Sequence, residues 1–316
     1  MTEIVAAVDC GTNSIRLLVA RKSGSGLEDL HREMRVVRLG QGVDATGAFA
    51  DEAIERTRVA LADYVDIMLA HEVEAVRMVA TSATRDAANR DNFFEMTRGL
   101  LGQVVPDSVA EVITGDEEAR LSFAGAVGDL DPAQGPFVVV DLGGGSTEVV
   151  VGDEAGVHAA YSANIGCVRL TERCLHSDPP TETEIADARS VIKELLAEAF
   201  SQVPVDGAKT FVGVAGTMTT LAALAAGLSD YDPELIHLSR VDFDTLSQVC
   251  WRLVRMPRSD RAALGPMHEV RVDVIGGGSL VTLELARVIG EQSGIDAMVV
   301  SEHDILDGIA LSLLTD

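Results

Sequence analysis

The sequence contains no run of about 18 apolar residues, so no stretch of it is suited to a membrane-spanning helix. Its N-terminus enters an apolar stretch at Ile4 with neither a basic region nor a signal-like apolar core, which sets the expectation of a cytoplasmic chain. Cysteine is scarce. Cys10, Cys167, Cys174 and Cys250 are scattered without the paired spacing of a zinc site, and reduced thiols are the expectation. Cys10 sits inside a glycine turn, where a small buried residue is the better reading than a nucleophile. Basic charge is also short, with 25 Lys and Arg against 50 Asp and Glu and a net charge of −25. That balance argues against a general nucleic-acid binder. It also constrains any polyanionic ligand, which must be gripped locally by basic side chains, backbone amides or a metal.

What is present begins with 316 residues, 47% hydrophobic and 24% charged, enough for two globular domains with full cores. The chain is organised around FVVVDLGGGSTEVVVG, Phe137 to Gly152. Phe137 to Val140 reads as a buried strand ending at Asp141, and Gly143, Gly144 and Gly145 turn the chain into a second apolar run from Val149. Consecutive glycines let backbone N–H groups converge into an anion cradle, to which the hydroxyls of Ser146 and Thr147 add donors. Asp141 and Glu148 flank the turn as oxygen ligands for a divalent cation. A glycine hairpin without ligand is the bland alternative.

The pattern occurs twice. IVAAVDCGTNSIRLLVA carries Asp9 at a strand tip, then Gly11, Thr12, Asn13 and Ser14, at an offset of 141 − 9 = 132 residues. Two such units a domain length apart imply a duplication: two α/β domains facing each other across a cleft, gripping one phosphate chain from both sides. The expected boundaries are 1–128 and 129–302, with a last helix near 303–316 packing back on the first domain. LDPAQGP, Leu130 to Pro136, marks the crossing.

Other candidates lie between these turns. Helical spacing is expected over Asp51 to Ala70 and Arg90 to Leu101, and strands over Leu27 to Leu39, Ala75 to Ala80 and Val109 to Ile113. In TSATRDA, Arg85 follows a strand in a loop where it can fork onto a phosphate or cap a helix. Glu117 and Glu118 in TGDEEARL suit the first turn of a helix, and both helix-start chemistry and a catalytic role stand for them. AGTMTTLAAL places Gly216 and Thr217 at a helix N-terminus, as a second phosphate or nucleotide contact or as a structural turn. A third triglycine, Gly276 to Gly278, lacks the strand-tip Asp and reads as close helix packing. Val241 to Arg255 reads as a helix, and His303 as a residue that orders its loop.

Taken in order from Val8 to Leu314, VDCGTNSIRLLVA, ATSATRDA, TGDEEARLSFAGA, VVVDLGGGSTEVVVG, IGCVRLTE, VAGTMTTLAAL and SEHDILDGIALSLL resemble the exopolyphosphatase/guanosine pentaphosphate phosphohydrolase family. The resemblance implies an α/β fold of two actin-like (ribonuclease H-like) domains with an interdomain cleft. It also implies Mg²⁺-dependent (alternatively Mn²⁺-dependent) removal of terminal phosphate from inorganic polyphosphate or pppGpp, and a homodimer without nucleic-acid or membrane partners. By motif position Glu118 matches the general base, Asp141 and Glu148 the metal and water residues, and Asp9 the first-domain acid near the metal. Gly11 to Ser14, Arg85 and Gly144 to Thr147 match the phosphate-gripping loops. The chain stops at Asp316, short of the C-terminal helical region of longer members, which puts long-chain processivity in doubt. A kinase of the same superfamily and a non-catalytic polyphosphate or (p)ppGpp sensor remain as competing readings.

Overall fold

The computed structural model describes residues 3–23 and 26–314. The chain divides into two compact units, Met1–Gly128 with Ile305–Asp316, and Asp129–Asp304.

Unit 1 opens with an antiparallel meander, β1 (Ile4–Cys10), β2 (Ser14–Ser23) and β3 (Gly26–Val36). A short α1 (Val43–Thr46) and the long α2 (Asp51–Ala70) lead to β4 (Ala75–Ala80), which returns parallel to β1. Then come α3 (Ser82–Asp86), α4 (Arg90–Leu101), β5 (Glu111–Val112) and α5 (Gly115–Ala126). The sheet order is β3-β2-β1-β4-β5. Unbroken apolar runs such as Val5 to Val8 are needed because both faces are covered. Ala6, Val8, Ile15 and Leu17 pack with α2 and α4, whereas Val5, Ala7, Leu18 and Ala20 pack with the final helix, α13 (Ile305–Leu313 in chain order). α13 crosses α5 so closely that a Cβ on Gly308 would lie 1.9 Å from the Leu121 carbonyl oxygen. Its buried Asp307 is held by Arg32 of β3.

Unit 2 repeats the meander with β6 (Phe137–Leu142), β7 (Thr147–Asp153) and β8 (Gly156–Ala163). It continues through α6 (Cys167–Cys174), α7 (Glu182–Gln202), β9 (Thr210–Val214), α8 (Ala215–Ala225), α9 (Pro233–Ile236), β10 (Arg240–Asp242), α10 (Phe243–Arg255), α11 (Arg258–Ala262), α12 (Ile275–Ser293) and β11 (Ala297–Val300). The sheet order is β10-β11-β9-β6-β7-β8, with β6, β9 and β11 parallel. In both units an antiparallel three-stranded meander is extended by parallel strands, with β10 added antiparallel at the edge in unit 2, which is the ribonuclease H-like arrangement expected of actin-like domains.

Several expectations shift locally. Arg85 belongs to the short helix α3 rather than to a loop. The strand expected over Val109 to Ile113 shortens to β5, and Val241 pairs with Met298 in β10 before α10 begins at Phe243. Asp242, whose carboxylate accepts from the Thr245 N–H, caps that helix and explains where the strand stops. The third triglycine is a packing device: Cβ atoms on Gly277 and Gly278 would lie 2.4 Å from the Thr171 hydroxyl and 2.7 Å from the Thr217 methyl.

Candidate functional site

The duplicated hairpins share their turn. Gly11 N–H donates to Ser14 O at 3.0 Å in unit 1, and Gly143 N–H donates to Ser146 O at 3.1 Å in unit 2. Behind the second turn, the start of α6 donates into its carbonyls: Cys167 N–H to Gly143 O, and Val168 and Arg169 N–H to Gly144 O, at 2.9–3.0 Å. In a planar trans peptide the N–H points opposite to the C=O. The N–H groups of Gly144 and Gly145 are therefore directed away from α6, side by side, as an anion cradle requires. Gly166 backs this turn so tightly that a Cβ on it would stand 2.4 Å from the Gly144 carbonyl.

Unit 1 uses the same device. Gly40 N–H donates to Thr12 O at 2.8 Å, and Arg38 N–H to Asn13 O at 2.8 Å, which turns the N–H groups of Asn13 and Ser14 to the opposite side. Gly40 backs this turn, its Cβ position 2.3 Å from the Thr12 methyl. α3 packs against it through Ala83, 3.0 Å from the Gly40 Cβ position, and the buried hydroxyls of its Ser82 and Thr84 have no partner among the described residues. Cys10 is buried as expected, and burial pushes its thiol pKa far up, so it is no nucleophile.

The cross-strand neighbours distinguish the two hairpins. In β1/β2 Asp9 stands opposite Arg16, which donates through Nε and Nη2 to Asp9 Oδ2 at 3.0 and 2.8 Å. In β6/β7 Asp141 stands opposite Glu148, and Glu148 opposite Ser162 of β8, whose hydroxyl donates to Glu148 Oε1 at 2.6 Å. Directly opposed residues share one face of a sheet. Asp141 and Glu148, 7% and 1% exposed, are thus two buried carboxylates set side by side, an oxygen donor pair that fits a hard divalent cation. Asp9, expected as the first-domain acid near the metal, is paired with Arg16 in unit 1.

The acids of TGDEEARL separate by partner. Thr114 caps α5 by accepting from the Glu117 N–H; Asp116 pairs with Arg120 and Glu117 with Arg77. Glu118 alone of the three is buried, and Arg85 Nη1 holds its Oε2 at 2.6 Å while also donating to Ile113 O at 3.1 Å. Arg85, read from sequence as a phosphate ligand, is thereby also the residue that orients Glu118. The Thr147 hydroxyl donates to Ile165 O at 2.6 Å and serves the fold. Gly216 and Thr217 are likewise engaged: Arg271 Nη1 donates to Gly216 O at 2.5 Å and to the Thr220 hydroxyl at 2.8 Å, and Thr217 lies against Gly278. The Arg271 guanidinium lies against Gly216, 2.1 Å from where a Cβ would stand, so a side chain there would have to displace it. Sequence reasoning missed Arg16 and Ser162, though Arg16 is readable once the hairpin register is drawn.

Three comparisons bear on this arrangement. The profile of the Ppx/GppA phosphatase family matches residues 18–313. Exopolyphosphatase 2 of Mycobacterium tuberculosis is 63% identical over 314 residues, 98% of each chain. Among solved structures, an exopolyphosphatase-like protein is 43% identical with a TM-score of 0.94, covering 99% of this chain and 98% of its own. The Aquifex aeolicus Ppx/GppA family member is 31% identical with a TM-score of 0.82 at the same coverage. With the doubled hairpin, the buried acids and a match along nearly the whole chain, this protein belongs to the Ppx/GppA phosphatase family.

Proposed function

We propose that this protein is an exopolyphosphatase that releases terminal orthophosphate from inorganic polyphosphate, with Glu118 as the general base. The observation that carries the reading is the unit 2 hairpin, where outward amides of Gly144 and Gly145 adjoin the buried Asp141–Glu148 pair. Its support from relatives is the 63% identity to a protein named exopolyphosphatase.

Hydrolysis of a terminal phosphoanhydride is a displacement at phosphorus. A water oxygen bonds to phosphorus as the bond to the bridging oxygen breaks, and the leaving chain keeps the electron pair. Positioning and charge compensation supply most of the acceleration. In unit 2 the N–H groups of Gly144 and Gly145 and the Ser146 hydroxyl are donors for phosphate oxygens, and in unit 1 the N–H groups of Asn13 and Ser14 are donors of the same kind. Glu118 takes the proton from the attacking water, and Arg85 fixes the carboxylate that receives it. Asp141 and Glu148 would hold Mg²⁺, with Mn²⁺ as a substitute, and the bound ion supplies positive charge that compensates phosphate oxygens.

The test is phosphate release with Mg²⁺ from short polyphosphate, long polyphosphate and pppGpp, with Glu118→Gln alongside. The expected result is turnover of polyphosphate and a fall in kcat of roughly 10²–10⁴-fold in the variant, with substrate affinity retained. Full activity in Glu118→Gln would remove Glu118 from the base role. Preference for pppGpp would move the same chemistry to guanosine pentaphosphate. Tight binding without release from any of the three would make the protein a binding regulator.

A further inference from the structure

We propose that Asp129, His237 and His303 form a binding site for a divalent first-row transition ion of the zinc class. None of the three takes part in the sets assigned above to phosphate and Mg²⁺. All belong to unit 2, and they converge: His303 Nδ1 lies 2.6 Å and His237 Nε2 3.4 Å from the same oxygen, Asp129 Oδ2. The two imidazole rings are 4.7 Å apart, and one donor atom from each residue lies within 4.8 Å of the other two. Two imidazoles and a carboxylate form a ligand set that zinc uses with its fourth position left to water. Mg²⁺, which selects oxygen donors, is the wrong ion for it.

Bonds of about 2.0–2.1 Å in a tetrahedron put ligand atoms about 3.3 Å apart. His237 already stands at that separation from Asp129, and His303 needs to retreat by less than about 1 Å. The backbone that carries His303 is fixed. The Ser301 hydroxyl both accepts from the His303 N–H at 3.1 Å and donates to its carbonyl at 2.9 Å, and Ser301 N–H is itself bonded to Gly213 O. His237 terminates α9, and its Nδ1 accepts from the Glu302 N–H at 3.2 Å. That contact favours the tautomer whose Nε2–H faces Asp129. Metal binding moves each ring's proton to its far nitrogen and exchanges the Glu302 contact for a metal bond. Asp129 is the first residue of unit 2, and His303 lies two positions before the chain returns to unit 1. The ion would thus clip together the two segments where the chain crosses between units.

The experiment uses the full chain, loaded with Zn²⁺, dialysed against metal-free buffer and assayed for zinc by mass spectrometry, with Co²⁺ as a spectroscopic probe. The expected result is about one retained zinc per chain, visible d–d bands of tetrahedral Co²⁺, and a Tm raised by roughly 3–8 °C at zinc about 100-fold above Kd. His237→Ala and His303→Ala lose all three effects, and Asp129→Asn, which keeps the side-chain shape, weakens retention. His158→Ala, at a His–Asp pair elsewhere in the unit, leaves them unchanged. Equal zinc retention in Asp129→Asn or in the double histidine variant, failure of the parent chain to retain zinc, or loss in His158→Ala would overturn the site. Phosphate release plays no part in these readouts.

Discussion

Asp141 and Glu148 face each other across β6 and β7 with Ser162 next in the row, so a buried carboxylate that would hold a cation is itself held by a hydroxyl. Groups that orient a metal ligand typically carry 10–100-fold in metal affinity or activity. Ser162→Ala should therefore raise the Mg²⁺ concentration for half-maximal phosphate release by roughly 10-fold while leaving the melting temperature nearly unchanged. An unaltered Mg²⁺ dependence would mean that Glu148 is not a metal ligand. The two hairpins were legible in the sequence because strand, acid, turn and strand are all contiguous, and a local pattern needs no tertiary information. Ser162 was not legible, because its place depends on the register of β8 against β7. The Arg85–Glu118 bond joins positions separated by a helix, a strand and three loops, and only the packed unit shows it.

At the scale of elements, each glycine turn depends on a second glycine from another segment, Gly40 in unit 1 and Gly166 in unit 2. Gly166→Ala drives a methyl against the Gly144 backbone, which cannot rotate away as a side chain would. Overpacking of this kind costs about 1–3 kcal/mol, and displacement of the cradle by about 1 Å should lower kcat about 10²-fold. Phosphate release and urea unfolding on the same variant separate the two effects. These backing glycines escaped sequence reading, since a lone glycine outside a turn motif signals nothing about what approaches it. Helix ends rest on local chemistry. Thr181 and Glu184 form the capping box of α7, with Glu184 also accepting from the N–H groups of His176 and Ser177. The Thr181 N–H, then those of His176 and Ser177, hold the Glu184 carboxyl down at about 2. A carboxyl depressed in the folded state contributes stability above its unfolded value of about 4.5, and loses it as pH falls toward 2. The stability gap between the parent and Glu184→Gln, measured by urea midpoints, should accordingly shrink between pH 5 and pH 3.

For the whole molecule the governing quantity is the net charge of −25, carried by a chain proposed to bind a polyanion. Two arginines that could serve as an offsetting lining are spent inside the fold. Arg35 pairs with Glu33 and Asp63, and Arg271 is bonded to Gly216 O and the Thr220 hydroxyl. The attraction proposed for the amide cradles, and for a cation held by Asp141 and Glu148, acts at contact distance. The acidic surface repels at long range. Added monovalent salt shortens that range to about 10 Å at 0.1 M and so weakens the repulsion first. The expected outcome is that kcat/KM for long polyphosphate rises as KCl goes from low concentration to about 0.1 M at constant free Mg²⁺. It should rise less for short polyphosphate, whose smaller charge feels a weaker field. A steady fall over the same range would instead mean that a basic lining steers the substrate, and that local attraction outweighs the net charge from the first encounter.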